Sequence, residues 1–440
     1  MEYTAATASF VREHANDDVR RLALEAGRYP DIDIRFAIDQ IQGLQKARTK
    51  LPSWAATDGL IFPPHISMEQ CSSEQTALYK VSVMKRVLEA VQAEDSSADI
   101  RSFTDMTGGF GVDFSFLAKL FETCRYVERQ EHLCDIARHN LSLLGLPHAE
   151  IVNGDSADIT FRGVIFIDPA RRDINGKRTF AISDCTPDIL SFLPDMLSTA
   201  TLVMVKLSPM LDWHATIADL HRIVPHCVRE LHIISAAGEC KELLLVLRKT
   251  SAESQQPSAS SPHQVRIFCV SDTTIFTFNH PADTQNSIVE AFHPLPYGGD
   301  IEGGSLLLPN PSIMKAGCFS LLTKRFPVRQ VAPNSHLFIA SSSLFLASSP
   351  SDSTSIAPLS DFPGKRYTIL SVTSLNKKEL KTALQGIDRA NISTRNFPMS
   401  PEELRRRLKI KDGGEIYIFA TTTGEGQRLF ITKRAKGEDF

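Results

Sequence analysis

DMTGGFGVD, residues 105–113, sets an acid at the head of three closely spaced glycines, and that order decides the fold. It reads as the turn between a strand and a helix. A dinucleotide-binding turn would run GxGxxG and carry its acid about twenty residues later. Here the glycines are 108, 109 and 111, Phe114 stands where the third would fall, and Asp105 comes before them all. This arrangement disfavours a nicotinamide dinucleotide. It suits a ligand with an amino-acid head group, because glycine permits close backbone approach and carboxylates receive cationic and hydroxyl groups.

Working outward, short apolar runs alternate with amphipathic stretches from Ile100 to about Lys249: RSFTDM, CRYVE, AEIVNGD, GVIFID, TLVMVKL, LHIISAA and ELLLVL. Such alternation predicts parallel strands joined by crossover helices, a doubly wound α/β sheet over residues 96–250. Ligands bind at the carboxyl edge of sheets of this kind. Glu128 ends the second run, 23 residues after Asp105, and NGD brings Asp155 and Ser156 to the end of the third. The fourth ends in Asp168-Pro169-Ala170-Arg171, and the fifth delivers Lys206, Ser208 and Asp212 to the same edge. Each acid alone reads more readily as a solvated loop residue. Three at successive strand ends point to a binding site, with Glu128 suited to two neighbouring hydroxyls and Asp155 to an exocyclic amine. Lys206 either approaches Asp168 or reaches solvent.

These elements together resemble the successive signatures of class I S-adenosylmethionine-dependent methyltransferases, over about residues 96–250. The resemblance implies a Rossmann-like methyltransferase sheet. Asp105, Gly108, Gly109 and Gly111 would cradle the methionine end of S-adenosylmethionine, Glu128 its ribose, and Asp155 with Ser156 its adenine. DPAR is similar to the (D/N)PP(Y/F) motif of amino-methylating enzymes and to the DPPR of some RNA methyltransferases. On that likeness Asp168 orients or deprotonates the acceptor beside the Pro169 carbonyl, and a nitrogen is the expected acceptor. Ala170 and Arg171 depart from the motif, so stacking of a base on an aromatic ring is not expected there. Arg171 and Arg172 are open to two readings, a phosphate clamp or surface charge. No metal is required, since a sulfonium is already a good leaving group. The eight cysteines form no CxxC pair and no Cys/His spacing for a metal, and read as reduced structural thiols.

The flanks complete the organisation. Residues 1–95 carry helical apolar spacing, and within them IFPPHISMEQCSSEQTALYK is either a helix start capped by Ser72 or Ser73 or a lid over the site. A Ser/Pro/Gln-rich stretch at 250–264 reads as a linker, 265–345 as a small mixed domain, and 361–440 as a terminal α+β unit. That unit holds 16 Lys/Arg against 10 Asp/Glu in a chain of net charge −3. Arg405, Arg406, Arg407 and Lys409 concentrate the excess on one helix, which reads as a polyanion-binding face or as an ordinary solvated one. The whole order resembles bacterial methyltransferases with a ferredoxin-like insert at 265–345 and a THUMP-like C-terminal domain at 361–440. It implies RNA, tRNA or rRNA, as the partner, since THUMP domains help tRNA-modifying enzymes hold RNA; DNA is not expected. With no apolar run near the roughly 18 residues a spanning helix needs and no basic-then-apolar start, the expectation is a cytoplasmic protein without membrane contact. Nothing in the sequence fixes the oligomeric state. Two rival functions remain: methylation of a protein or small molecule, and cofactor or RNA binding without turnover.

Overall fold

Helices come first, as the apolar spacing predicts: α1 (Ala5–Glu13), α2 (Val19–Leu24), α3 (Ile34–Lys50), α4 (Pro52–Ala55), α5 (His65–Gln70) and α6 (Glu74–Glu94). The computed structural model describes residues 4–63, 65–156, 159–171, 181–249, 264–272, 274–281, 283, 301–340 and 356–435. Of the two candidate caps, Ser73 caps α6 by accepting from the Thr76 amide, which frees Ser72 to point elsewhere. Between α4 and α5 the extended segment at Ile61 and Phe62 is clasped twice. The Gln40 amide bonds both the N–H and the carbonyl of Phe62, and the Asn140 amide does the same to Ile61. Satisfying all four backbone groups with two side chains lets an irregular segment run buried.

The sheet then builds from β1 (Ser102–Asp105), β2 (Thr123–Glu128), β3 (Glu150–Asn153) and β4 (Gly163–Ile167). A short antiparallel pair, β5 (Ala170–Arg171) and β6 (Cys185–Thr186), stands apart from it, and β7 (Ala200–Leu207), β8 (Val228–Ala236) and β9 (Glu239–Leu247) complete the run. Crossover helices are α7 (Val112–Leu117), α8 (Glu131–Leu143), α9 (Ile189–Thr199) and α10 (Trp213–Ile223). Strand order is β3-β2-β1-β4-β7-β9-β8, so β1 and β4 lie side by side and the order reverses between them. That reversal opens the crevice where ligands bind in doubly wound sheets.

One departure from the all-parallel expectation has a simple cause. Only Ala237 and Gly238 separate β8 from β9, both at positive φ, which makes a tight hairpin, whereas a parallel return needs a dozen residues or more. β9 therefore runs antiparallel to β7.

Contacts divide the chain into two units, one of residues 1–231 and 242–261 and one of residues 232–241 and 262–440. In the second, β10 (Val265–Val270) and β11 (Ile275–His280) pair and continue from β8. A seven-stranded sheet follows, built from β12 (Ser305–Pro309), β13 (Arg329–Gln330), β14 (Phe338–Ala340), β15 (Gly364–Thr373), β16 (Asn391–Arg395), β17 (Ile416–Thr423) and β18 (Gly426–Arg434). Its order is β13-β14-β12-β15-β18-β17-β16. Because β12 pairs with β15, the later part of the stretch drawn as 265–345 shares a sheet with 361–440, and the polar gap between them lies mostly outside the described residues. Helices α11 (Pro311–Ala316), α12 (Phe319–Arg325), α13 (Lys377–Ala383) and α14 (Pro401–Leu408) accompany it. α14 opens with the expected capping box of Ser400 and Glu403.

Gly163 sets the start of β4 at φ 62°, and a Cβ there would lie 2.7 Å from the Ser102 carbonyl oxygen on the neighbouring strand. Backbone cannot yield as a side chain can. Gly163→Ala should cost about 2–3 kcal/mol in urea unfolding, by overpacking and positive-φ strain together; a loss below about 0.5 kcal/mol would show that the strand pair accommodates the methyl.

Candidate active site

Glycine is required in the 105–111 turn by what surrounds it. A Cβ on Gly108 would lie 2.1 Å from the buried Tyr126 ring of β2, while Gly109 and Gly111 sit at φ 54° and 83°. Trp54 and Phe110 meet edge to face at 4.9 Å, and Phe110 and Val112 are buried among Leu51, Leu60, Phe62 and Met68, so the N-terminal helices hold the turn from behind. The Tyr126 hydroxyl donates to the Gly109 carbonyl.

At the carboxyl edge the sequence-predicted residues come together. Glu128 accepts from the Gly109 amide at 2.9 Å with one oxygen and from the Gln130 amide at 2.9 Å with the other. Asp155, at the end of β3, lies half exposed, with the buried Ser156 hydroxyl 3.4 Å from its carboxylate and Arg129 at 3.9 Å. Asp105 is buried and receives the Thr107 amide at 2.9 Å, and the Thr107 hydroxyl accepts from the Asp168 amide at 2.6 Å. β1 and β4 are thereby tied at their ends, which fixes Asp168 beside Asp105.

Lys206 turns inward. Its Nζ lies 2.5 Å from Asp168 Oδ2 and 3.4 Å from Asp113 Oδ2, which resolves the open reading in favour of approach to Asp168. Pro169 is buried next to it; the Arg171 side chain and all of Arg172 lie outside the described residues. Asp212 is a helix cap, accepting from the His214 and Ala215 amides at the start of α10, and Ser208 accepts from the Met210 amide.

Three residues that the sequence reading passed over complete the cluster. Lys80, fully buried on α6, meets Glu242 of β9, lies 3.2 Å from Asp113 Oδ1 and donates to Ser72 at 3.2 Å. Ser72 in turn donates to Asp113 Oδ2 at 2.7 Å. A signal existed: Lys80 sits in the buried stripe of α6 with Ala77, Val83, Met84, Val87 and Val91, a charge at an apolar position of the helix. Glu242 likewise heads the apolar run LLLVL, and Asp113 stands between Val112 and Phe114.

The electrostatics follow from this packing. Burial pushes the Asp105 carboxyl up to about 8, with the Asp113 and Asp168 charges adding to the effect. Burial opposes the charged form of Asp113 too, but the ammonium groups of Lys80 and Lys206 and the Ser72 hydroxyl outweigh it and hold that carboxyl below its usual range. Lys206 is raised well above an ordinary lysine: burial works against the ammonium, and Asp168, Asp113 and Glu242 overcome it. With Asp105 mostly protonated at pH 7, two ammonium groups face the three carboxylates of Asp113, Asp168 and Glu242. That cluster is short of positive charge, and the nearby Glu128 and Asp155 add carboxylates, with Arg129 beside the second. S-adenosylmethionine, with a sulfonium and an ammonium against one carboxylate, carries a net positive charge, so the residues fit it; when bound, it would bring a transferable methyl group. Unit charges about 4 Å apart interact by about 4 kcal/mol at an effective dielectric near 20, so the charge able to develop beside Asp168 is governed by Lys206.

A doubly wound sheet with acids at successive strand ends above a glycine turn is the arrangement of S-adenosylmethionine-dependent methyltransferases, the class that this chain resembles. The comparisons agree. The chain is 24% identical over 304 residues, 68% of its length and 70% of theirs, to two curated sequences of Mycobacterium tuberculosis, from strains CDC 1551 and H37Rv, each named an uncharacterized S-adenosylmethionine-dependent methyltransferase. A crystal structure from Porphyromonas gingivalis W83, named as a methyltransferase, superposes with a TM-score of 0.72 at 28% identity, covering 98% of both chains. Residues 306–345 match the model of a ferredoxin-like domain and residues 364–434 that of a THUMP domain-like family. No helix among the described residues is long and apolar enough to cross a membrane.

Two outcomes check the charge cluster. Lys80→Met leaves Asp113 and Glu242 buried without their cation and should lose about 3–5 kcal/mol in urea unfolding, part of which Glu242→Gln restores in the double variant; a single-variant loss under about 1 kcal/mol would refute the network. The second concerns pH. Asp105 is raised from 3.8 when unfolded to about 8 when folded, so its contribution to stability is fully present below about 4 and lost as pH rises towards 8. Thermal unfolding from pH 4 to 9 should therefore show Asp105→Asn gaining on the parent as pH rises; parallel curves would mean that Asp105 ionises normally.

Proposed function

We propose that the chain transfers the methyl group of S-adenosylmethionine to RNA, tRNA or rRNA. Asp105, Gly108, Gly109 and Gly111 hold the methionine end, Glu128 the ribose, and Asp155 with Ser156 the adenine. Asp168, the Pro169 carbonyl and Lys206 face the acceptor, and Arg171 is assigned to a substrate phosphate. Read from DPAR alone the acceptor is a nitrogen; Lys206 against Asp168 bears on that choice.

The observation that carries the RNA reading is the THUMP-like match at 364–434 together with the cations on its helix α14. Arg406, Arg407 and Lys409 are exposed there, while Arg405 is tied to Asp412 at 2.6 Å. Three exposed cations at the end of one short helix suit a run of phosphates better than a neutral small molecule.

The test is transfer of labelled methyl into extract from a strain lacking the chain, followed by nuclease or protease digestion. Nuclease should release the label; release by protease alone would move the substrate to protein. In parallel, Arg406→Ala with Arg407→Ala should weaken RNA binding about tenfold or more in low salt and flatten the salt dependence by about one unit of slope per lost contact. Unchanged binding would remove α14 from the RNA surface.

A further inference from the structure

We propose that the acceptor atom is a hydroxyl oxygen, the ribose 2′-OH of an internal RNA nucleotide, with Lys206 supplying the cation beside the reacting oxygen and Asp168 receiving its proton. This rests on the RNA reading above and deepens it.

The argument begins with which charge each acceptor develops. A neutral nitrogen attacks with its lone pair and turns cationic as the new bond forms, before its proton leaves. A neighbouring ammonium opposes that, and Lys206 Nζ lies 2.5 Å from the carboxylate that would receive the amine. A hydroxyl behaves in the opposite way. Its oxygen gains negative charge as its proton is drawn off, and a fixed ammonium stabilises it. Against the effect of burial, Asp168, Asp113 and Glu242 keep Lys206 in the cationic form that serves the second case and harms the first.

The available valences agree. An ammonium has three N–H donors. Those of Lys206 have two partners among the described residues, Asp168 and Asp113, which leaves one for a substrate oxygen. Asp168 bonds Lys206 through Oδ2, its side chain is 38% exposed, and its Oδ1 has no partner among the described residues. One carboxylate oxygen thus holds the lysine and the other is open to a proton. In the step this geometry serves, the hydroxyl O–H breaks and the proton passes to Asp168 Oδ1. The oxygen lone pair forms the bond to the methyl carbon as the methyl–sulfur bond breaks, its pair going to sulfur to give a neutral thioether. Within an RNA strand the 3′ and 5′ oxygens are esterified to phosphate, so the 2′-OH is the backbone hydroxyl that remains. Lys80 does not reach substrate, being fully buried; it is a positioning residue that, through Asp113 and Glu242, fixes where Lys206 points.

The experiment uses the full chain, tritiated-methyl S-adenosylmethionine and total RNA from a strain lacking the chain, with DNA from the same strain as a control. The labelled RNA is hydrolysed in alkali. A 2′-O-methyl group blocks cleavage of the adjoining phosphodiester, so the label should appear in alkali-stable dinucleotides and DNA should stay unlabelled. Label in mononucleotides would overturn the hydroxyl acceptor and leave RNA methylation standing. No label in RNA with the cofactor bound would overturn the RNA reading and this inference with it. Lys206→Met should slow dinucleotide labelling about 100-fold, in the range of losing one charged stabiliser of a transition state, with cofactor affinity changed less than about threefold. Lys206→Arg, which keeps the cation, should retain at least about a tenth of the rate and guards against a misfolded methionine variant. Equal rates for the parent and Lys206→Met would overturn the role of Lys206.

Discussion

The ammonium of Lys206, held between Asp168 and Asp113, is the constraint on which the rest of the central unit depends. A buried charge is tolerated only with a full set of partners, and here one partner, Asp113, is itself buried and needs others. Asp113 requires Lys80, Lys80 requires Glu242, and Ser72 closes the circuit. Five elements are fixed by it: α6 through Lys80, α7 through Asp113, the end of β4 through Asp168, β7 through Lys206 and β9 through Glu242. A hydrophobic core would pack those elements together, but ion pairs at 2.5 to 3.4 Å also set their register. A one-residue slip of β7 would turn Lys206 away from Asp168 altogether.

Rigidity at the glycine turn has a different origin and the same effect. Gly108 is pinned by the Tyr126 ring, Gly109 by Glu128 and by the tyrosine hydroxyl, and Phe110 by Trp54. A turn so surrounded loses little freedom when a ligand arrives, which is how preorganisation improves affinity without adding contacts. The Gln40 and Asn140 clasps extend the same logic to the chain behind it.

The sequence conveyed the sheet well because each strand is an apolar run that ends at a chemically distinct residue. Asp105, Glu128, Asp155, Asp168 and Lys206 could all be placed at one edge by that rule alone. Asp212 obeyed the rule and proved to be a helix cap, since an acid before a helix serves either purpose. Lys80, Asp113 and Glu242 escaped notice because each lies inside an element, where a charge reads as one exposed position in an amphipathic pattern. Their pairing joins residues far apart in the chain, and periodicity carries no information about that. The hairpin of β8 and β9 was missed on similar grounds: two residues of turn were legible, but the run ELLLVL after it resembled its parallel predecessors. The sharing of one sheet by β12 and β15 was hidden by the polar stretch between them.

Lys80 and Glu242 are 162 residues apart, yet each neutralises the other in the interior. During synthesis α6 and Asp113 emerge long before β9, so Lys80 gains one of its two carboxylates early and the other only when most of the central unit has left the ribosome. Closing so long a loop is slow, and burying Lys80 beforehand is unfavourable. Full pairing of Lys80 therefore waits for β9. A chain truncated before residue 242 would leave Lys80 without one of its two carboxylates.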